Sequence, residues 1–288
     1  MEAGQLDNIK VCFIIQARMS SSRLPGKVLM PIPLGSGKPL IQWIVDELKK
    51  TTFKNDIIVA SSTSPDNDVL EDYCKENLID VFRGDENDVL SRFIEIVKRE
   101  QPDVVVRMTG DNPLTDIALL DKTIRHHVLN QNDYTKTKGL PIGMNLEVVS
   151  PAALLGLHNL KTTKDDKEHV TLYFNNNTDK FRKEEISFNN SEKFSKLRLT
   201  VDYVSDFLVL SQLLEISKTS NILGFALVKK VLNDYPWVFQ GNLSNIQKWQ
   251  PSSLAEELKI AIGILDQIDL ENASALLKNH YEKGLHTS

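Results

Sequence analysis

Short, apolar, β-rich runs recur along the chain at 11–16, 56–61, 78–82, 103–108, 144–149, 184–188 and 196–201. Between most of them, apolar positions return at helical spacing over 39–50, 66–77, 87–100 and 116–130. Strand-helix alternation of this kind predicts an α/β fold with a largely parallel sheet covered on both faces. The first four strands read as βαβ units. Pro39 suits the first turn of its helix, and Ser64-Pro65-Asp66 supplies turn and cap chemistry before the next. Segment 131–143 is polar, carries Gly139, Pro141 and Gly143, and reads as a loop, while 161–180 is dense in charge and asparagine. Either is placed to cover a substrate. Further helices are expected over 151–160, 167–175, 204–218, 223–233, 251–265 and 269–283.

At 288 residues the chain is long enough for one large α/β domain, or for one of about 220–240 residues plus an appendage. The tail from about 235 onward reads as the appendage. A net charge of -5 argues against a nucleic-acid backbone as the main partner, because such partners demand a basic face. No apolar run approaches the ~20 residues a bilayer requires, and MEAGQLDNIK has no signal-peptide core, so no membrane partner and a cytoplasmic location are expected. Cys12 and Cys74 lack metal-ligand spacing and read as reduced core residues, and Trp43, Trp237 and Trp249 read as packing.

The chemistry begins at VCFIIQARMSSSRLPGK, residues 11–27, where an apolar strand feeds a loop holding Arg18, Arg23 and Lys27 among Ser20, Ser21, Ser22 and Gly26. Backbone N–H groups after a strand point at an anion, and small residues let it come close. At an effective dielectric near 20, a cation about 4 Å from a phosphate oxygen is worth about 4 kcal/mol before desolvation, so three cations suit a triphosphate. The bland alternative is a solvated loop. Two common motifs are excluded: Val28 follows Gly26-Lys27 and Ser21 stands where a Walker A loop needs glycine, and no GxGxxG follows a strand.

Two further runs, VVVRMTGDNPLTD (104–116) and KLRLTVDYVSDF (196–207), each read as a strand with an aspartate at its carboxyl end. Ligands of open α/β sheets sit there. Asp111 and Asp202, from separate strand ends beside a phosphate cradle, suggest a hard cation such as Mg²⁺. The alternative for each is a helix cap, for which Asp116 and Asp206 are better placed.

Taken together, QARMSSSRLPGK, FRGDENDVLSRF, VVRMTGDNPL, LPIGMNLEVVS, KEHVTLYF and LRLTVDYVSDF resemble the CMP-sugar synthetase superfamily of cytidylyltransferases. The likeness covers about residues 11–220 and is strongest to the branch named after a spore-coat polysaccharide biosynthesis protein. It implies a three-layer nucleotide-diphospho-sugar transferase fold over 1–234, with a helical extension over 235–288, and an insert at about 131–195 serving a homodimer. It implies activation of an acidic sugar with CTP and Mg²⁺ for surface polysaccharide or glycan synthesis. Carried across, Arg18, Ser22, Arg23 and Lys27 hold the triphosphate, Asp111 and Asp202 the metal, and the backbone around Gln16 and Ala17 the cytosine. Arg18, Lys27, Asp111 and Asp202 form the catalytic set.

Relatives that activate Kdo carry Gln-Gly-Asp-Glu-Pro where this chain has Thr109-Gly110-Asp111-Asn112-Pro113, which leaves Thr109 and Arg83 as the remaining base-reading candidates. Arg92, Asn112, Glu147 and His169 are the candidate sugar contacts. Without a sugar to hold, Arg92 reads as a solvated helix arginine, Glu147 as an edge-strand residue facing water, and His169 as an ordinary partly buried histidine. Rival readings are a uridylyl- or guanylyltransferase acting on a sugar 1-phosphate, a glycosyltransferase of similar fold, and a catalytically silent nucleotide-binding scaffold. Such glycosyltransferases present Asp-x-Asp to their metal, and TGDNP lacks it.

Overall fold

Strand β1 (Lys10–Gln16) lies at the middle of the protein, and its five central residues, Val11 to Ile15, are all fully buried. Valine, isoleucine and phenylalanine on both sides of one strand fit only a sheet covered on both faces. The computed structural model, which describes residues 8–188, 192–245 and 253–285, places β1 in a seven-stranded sheet of order β3-β2-β1-β4-β6-β5-β7. The other strands are β2 (Lys54–Ser62), β3 (Asp80–Gly84), β4 (Val104–Thr109), β5 (Tyr134–Lys138), β6 (Glu147–Val149) and β7 (Lys183–Ser187). Only β6 runs antiparallel to its neighbours, so the expected mostly parallel α/β sheet is what forms.

Helices α1 (Leu40–Leu48), α2 (Asp68–Glu76), α3 (Val89–Glu100) and α4 (Ile117–Leu129) fall where helical periodicity predicts them. Val11, Phe13 and Ile15 pack on one face with Ile41 and Ile44 of α1, Leu70 of α2 and Ile124 of α4. Cys12 and Ile14 pack on the other with Phe93 and Val97 of α3. The strand order turns back between β1 and β4, which makes the gap between their carboxyl ends the place where ligands of such sheets enter. Cys12 and Cys74 are buried and free, and burial pushes both thiols up to about 12, as inert core residues require.

The second half departs from the expected pattern in three places. Segment 131–143 is not all loop, because YTKTK forms β5 between β6 and β7. Its polar residues are buried with partners: Thr135 Oγ1 accepts from Asn132 Nδ2 at 3.0 Å and pairs with His127, and Tyr134 stacks on Phe174. Apolarity alone misses such a strand.

Segment 196–201 forms no strand of the sheet. It makes one isolated bridge, with Leu199 N–H donating to Ile142 at 2.7 Å and Ile142 N–H to Leu197 at 2.9 Å. Its alternating leucines are nevertheless buried. Third, the single helix expected at 167–175 is two short ones, α5 (Pro151–Gly156) being followed by α6 (Lys164–His169) and α7 (Leu172–Asn176) with Val170 at φ 50° between the last two.

After the short α8 (Glu192–Ser195) come α9 (Val204–Ser220) and α10 (Gly224–Asp234). Packing divides the chain after Asn245, beyond the boundary expected at 234, because the 3-10 turn Pro236–Asn242 buries Val238 and Phe239 in the main core. Trp43 is buried and donates to the Ile32 carbonyl, whereas Trp237 is 63% exposed and does not pack as expected, and Trp249 lies outside the described residues. The second unit contains α11 (Leu254–Gln267) and α12 (Glu271–Leu285), joined by a short turn. The first two residues of the helix expected at 251–265 lie outside the described residues.

Candidate active site at the carboxyl edge of the sheet

The loop after β1 folds over its own middle: Met19 C=O accepts from Ser21 N–H and from Gly26 N–H, each at 2.9 Å, and Met19 N–H donates to Asn67 at 2.8 Å. Gly26 takes φ 74°, which favours glycine, and so starts the 3-10 turn that buries Lys27. Among the described residues, the N–H groups of Arg18, Ser20, Ser22 and Arg23 have no hydrogen-bond partner. Four open donors in a loop with exposed Arg18 and half-buried Arg23 are the groups an anion cradle uses.

Next to it, Gly110 donates its N–H to Gln16 C=O at 2.8 Å. A Cβ there would lie 2.9 Å from that of Ala17, so glycine is what lets β4 leave the sheet this close to the loop. The same closeness occupies the backbone expected to read cytosine: Gln16 C=O takes Gly110, and Ala17 N–H donates to Ala60 at 3.3 Å. The open donors begin one residue later, at Arg18.

Asp111 and Asp202 meet. Val201 N–H donates to Asp111 C=O at 2.9 Å, which ties segment 196–201 to the end of β4, and Gly143 at φ 94° allows the crossing because a Cβ there would lie 2.6 Å from Leu199 O. Lys27 Nζ then sits 2.8 Å from Asp111 Oδ2 and 2.9 Å from Asp202 Oδ1. Arg23 reaches Asp202 Oδ1 at 2.8 Å and lies over the Tyr203 ring, and Arg198 reaches Asp202 Oδ2 at 2.6 Å. Burial raises the Asp202 carboxyl, but Lys27, Arg23 and Arg198 outweigh it and hold the group below its usual range.

Two carboxylate oxygens facing one cation are the donor chemistry of a hard divalent ion that keeps phosphate and water for the rest of its shell. Among the described residues no group of three His, Cys, Asp or Glu side chains is placed to hold a metal ion by itself. Asp206 is different. Fully buried, it accepts from Arg198, Asn242, Asn245 and the N–H groups of Asp202 and Tyr203, so it anchors the start of α9. Asp116 likewise caps α4 through Leu119 N–H at 3.0 Å and receives Phe225 N–H at 2.8 Å.

Beside this node lies a small cleft of about 50 Å³ lined by Arg107, Thr109, Asn112, Asn145 and Glu147 among others. Asn112 Nδ2 donates to Thr109 Oγ1 at 2.7 Å. Arg107 in β4 and Glu147 in β6 are register partners and an ion pair. Sequence reasoning missed Arg107 and Arg198. The signal for Arg107 was an arginine inside the apolar run VVVRMT, since a charge in a strand buried on both faces needs a partner.

Several expected contacts lie elsewhere. Arg83 is committed to Asp68, Glu71 and the carbonyls of Ser62 and Ser64, which leaves it fastened to the α2 end of β3 and unavailable to read a base. Arg92 is not a solvated helix arginine: it is buried, donates to Ala60 C=O at 3.1 Å, and burial together with nearby Arg18 pushes its pKa down. His169 is exposed at the end of α6, while Thr171 two residues on reaches Glu147 at 2.8 Å. Glu147 has little capacity left for sugar hydroxyls, since Tyr134, Thr171 and Arg107 already donate to it.

Comparison with known proteins bears on this site. A family model described as cytidylyltransferase matches residues 12–233. Spore coat polysaccharide biosynthesis protein SpsF of Bacillus subtilis is 37% identical over 202 residues, 68% of this chain and 83% of that protein. A cytidylyltransferase structure from Leptospira borgpetersenii matches with a TM-score of 0.73 at 28% identity, over 84% of this chain and 100% of that one. The structure of CMP:2-keto-3-deoxy-manno-octonic acid synthetase, solved with CTP, shares the fold at a TM-score of 0.54 and 14% identity, over 72% and 99%.

Proposed function

We propose that this chain, which belongs to the cytidylyltransferase family, catalyses magnesium-dependent transfer of CMP from CTP to the hydroxyl of an acidic sugar. The acceptor oxygen forms a bond to the α-phosphorus, the bond to the β-phosphate oxygen breaks, and pyrophosphate leaves with that electron pair. The hydroxyl proton passes to solvent. Such in-line displacement asks a protein mainly for positioning and charge neutralisation.

One observation carries the reading: a single ammonium, that of Lys27, touches a carboxylate oxygen of both Asp111 and Asp202 beside a loop of open N–H donors. Asp111 and Asp202 are the residues that would hold the metal, which when bound neutralises phosphate charge and acidifies a coordinated hydroxyl. Arg18, Arg23 and Lys27 face the triphosphate. Arg23 Nη1 is buried without a partner, as an arginine waiting for an anion would be. The cleft beside Asp111 receives the acceptor.

The test is pyrophosphate release with magnesium and CTP, UTP or GTP, each against a panel of sugar acids and sugar 1-phosphates. Turnover restricted to CTP and an acid supports the proposal. Turnover only with UTP or GTP and a sugar 1-phosphate overturns it in favour of another nucleotidyltransferase. Nucleotide binding is read separately, since a ligand at 100 times its dissociation constant adds about 2.7 kcal/mol of stability.

A further inference from the structure

Arg107 has two edges with different surroundings. On one, Nη1 donates to Glu147 Oε2, and the Glu147 carboxylate is itself held by the hydroxyls of Tyr134 and Thr171 on Oε1. Burial raises Glu147, yet Arg107 and the hydroxyl donors bring it below the usual carboxylate range, so the pair stays charged at neutral pH. That edge is fixed.

The other edge is almost unspent. Nε is buried and has no hydrogen-bond partner, and Nη2 has only Gln16 Oε1 at 3.4 Å, longer than a good N–H···O bond. Buried donors without partners are uncommon in native proteins. This one belongs to a residue lining the cleft, and Asn112, on the same lining, also carries a buried side-chain oxygen without a partner. Two parallel N–H groups on a guanidinium edge match the two oxygens of a carboxylate, a fit that a lysine or a neutral amide lacks.

Position narrows the ligand further. Nη1 faces β6 and Nη2 faces Gln16, the last residue of β1, so the unpaired edge is turned toward the carboxyl end of β1, where the anion-binding loop begins. With CTP on the loop after β1 as proposed, an anion on this edge lies on the side of the acceptor carbon whose hydroxyl attacks the α-phosphorus. In a 2-keto sugar acid that carbon carries the carboxylate.

Resting on the CTP-dependent transfer proposed above, we infer that Arg107 is the specificity-determining residue that takes the acceptor's carboxylate on its Nε–Nη2 edge. Glu147, Tyr134 and Thr171 are positioning residues that clamp the opposite edge.

The experiment compares a panel of 2-keto sugar acids with their methyl esters and with neutral hexose 1-phosphates, in wild type, Arg107→Lys and Tyr134→Phe. In wild type, esters are expected to turn over about a hundredfold more slowly than acids, because a site built for a charged partner rejects its neutral analogue. Arg107→Lys keeps a charge for Glu147, yet raises KM for the acid by about a hundredfold and KM for CTP by no more than about threefold. Tyr134→Phe raises KM for the acid with kcat and KM for CTP kept, a split that a merely structural role does not produce. Esters or hexose 1-phosphates used as well as acids, no acid used at all, or an unchanged acid KM in Arg107→Lys each overturns the inference. The wild-type comparison stands even where a variant does not fold. Failure of the cytidylyl reading itself shows differently, as no CTP-induced rise in Tm in wild type.

Discussion

Two ion clusters stand side by side at the carboxyl edge of the sheet, and they are built on opposite principles. Around Asp111 and Asp202 the partners are cations: Lys27 bridges both carboxylates, and Arg23 and Arg198 reach Asp202. Around Glu147 the single cation Arg107 is joined by two neutral hydroxyls, from Tyr134 and Thr171. A carboxylate held by cations alone can exchange one of them for another, whereas one also held by hydroxyls of the core is fixed in place. The first cluster suits a step in which charge arrives and departs. The second suits holding one guanidinium still.

The largest expected effect tests the exchangeable cluster. Asp111→Asn should lower kcat/KM by about a hundredfold to a thousandfold, or about 3–4 kcal/mol of transition-state stabilisation, while changing unfolding stability by less than about 1 kcal/mol. Asp111 is partly exposed and keeps its shape, so steady-state kinetics and urea unfolding should diverge. A variant that unfolds early instead makes Asp111 structural and erases the contrast.

Glu147→Gln should behave in the opposite way. It leaves Arg107 without its counter-charge in a partly buried position and should cost about 3 kcal/mol of stability, read as a lower urea midpoint. A variant as stable as wild type shows that the pair is not a clamp.

Next in size, Lys27→Met should strengthen binding of Mn²⁺ alone, measured without nucleotide, by about tenfold, because two carboxylates lose the cation that competes for them. Unchanged or weaker Mn²⁺ binding means the two aspartates do not face a common ion.

The smallest effect is in acid. Glu147 has its folded pKa below the unfolded 4.5, so the stability it contributes is present above about pH 4.5 and is lost as pH falls through the lower folded value. Denaturant midpoints of wild type should therefore fall more steeply below pH 4.5 than those of Glu147→Gln. Parallel curves remove the linkage.

Much of this was readable from the chain. VCFII and VVV announce strands buried on both faces, and the helical periodicity between the early strands places α1 to α4. Arg23, Lys27, Asp111 and Asp202 stand out because charge next to a strand end has few structural uses, and the fold brings them together. Arg83 and His169 stand out for the same reason and end up elsewhere, one fastened to Asp68 and Glu71 and the other facing solvent. β5 was illegible because its burial depends on partners supplied by Asn132, His127 and Phe174 rather than on its own apolarity.

By itself, then, the amino-acid order determined the strands and helices of the first half and the stock of charges at the sheet edge, because those follow from periodicity and local backbone chemistry. Which charge serves which purpose was decided only by tertiary structure. Asp202 reaches Asp111 through a hydrogen bond from Val201 and a glycine that lets two segments cross, and Arg107 has one edge fixed and one unpaired because β6 delivers Glu147 to the first. The role of a charge is set by what stands opposite it, and residues far apart in the chain meet there only once the sheet has formed.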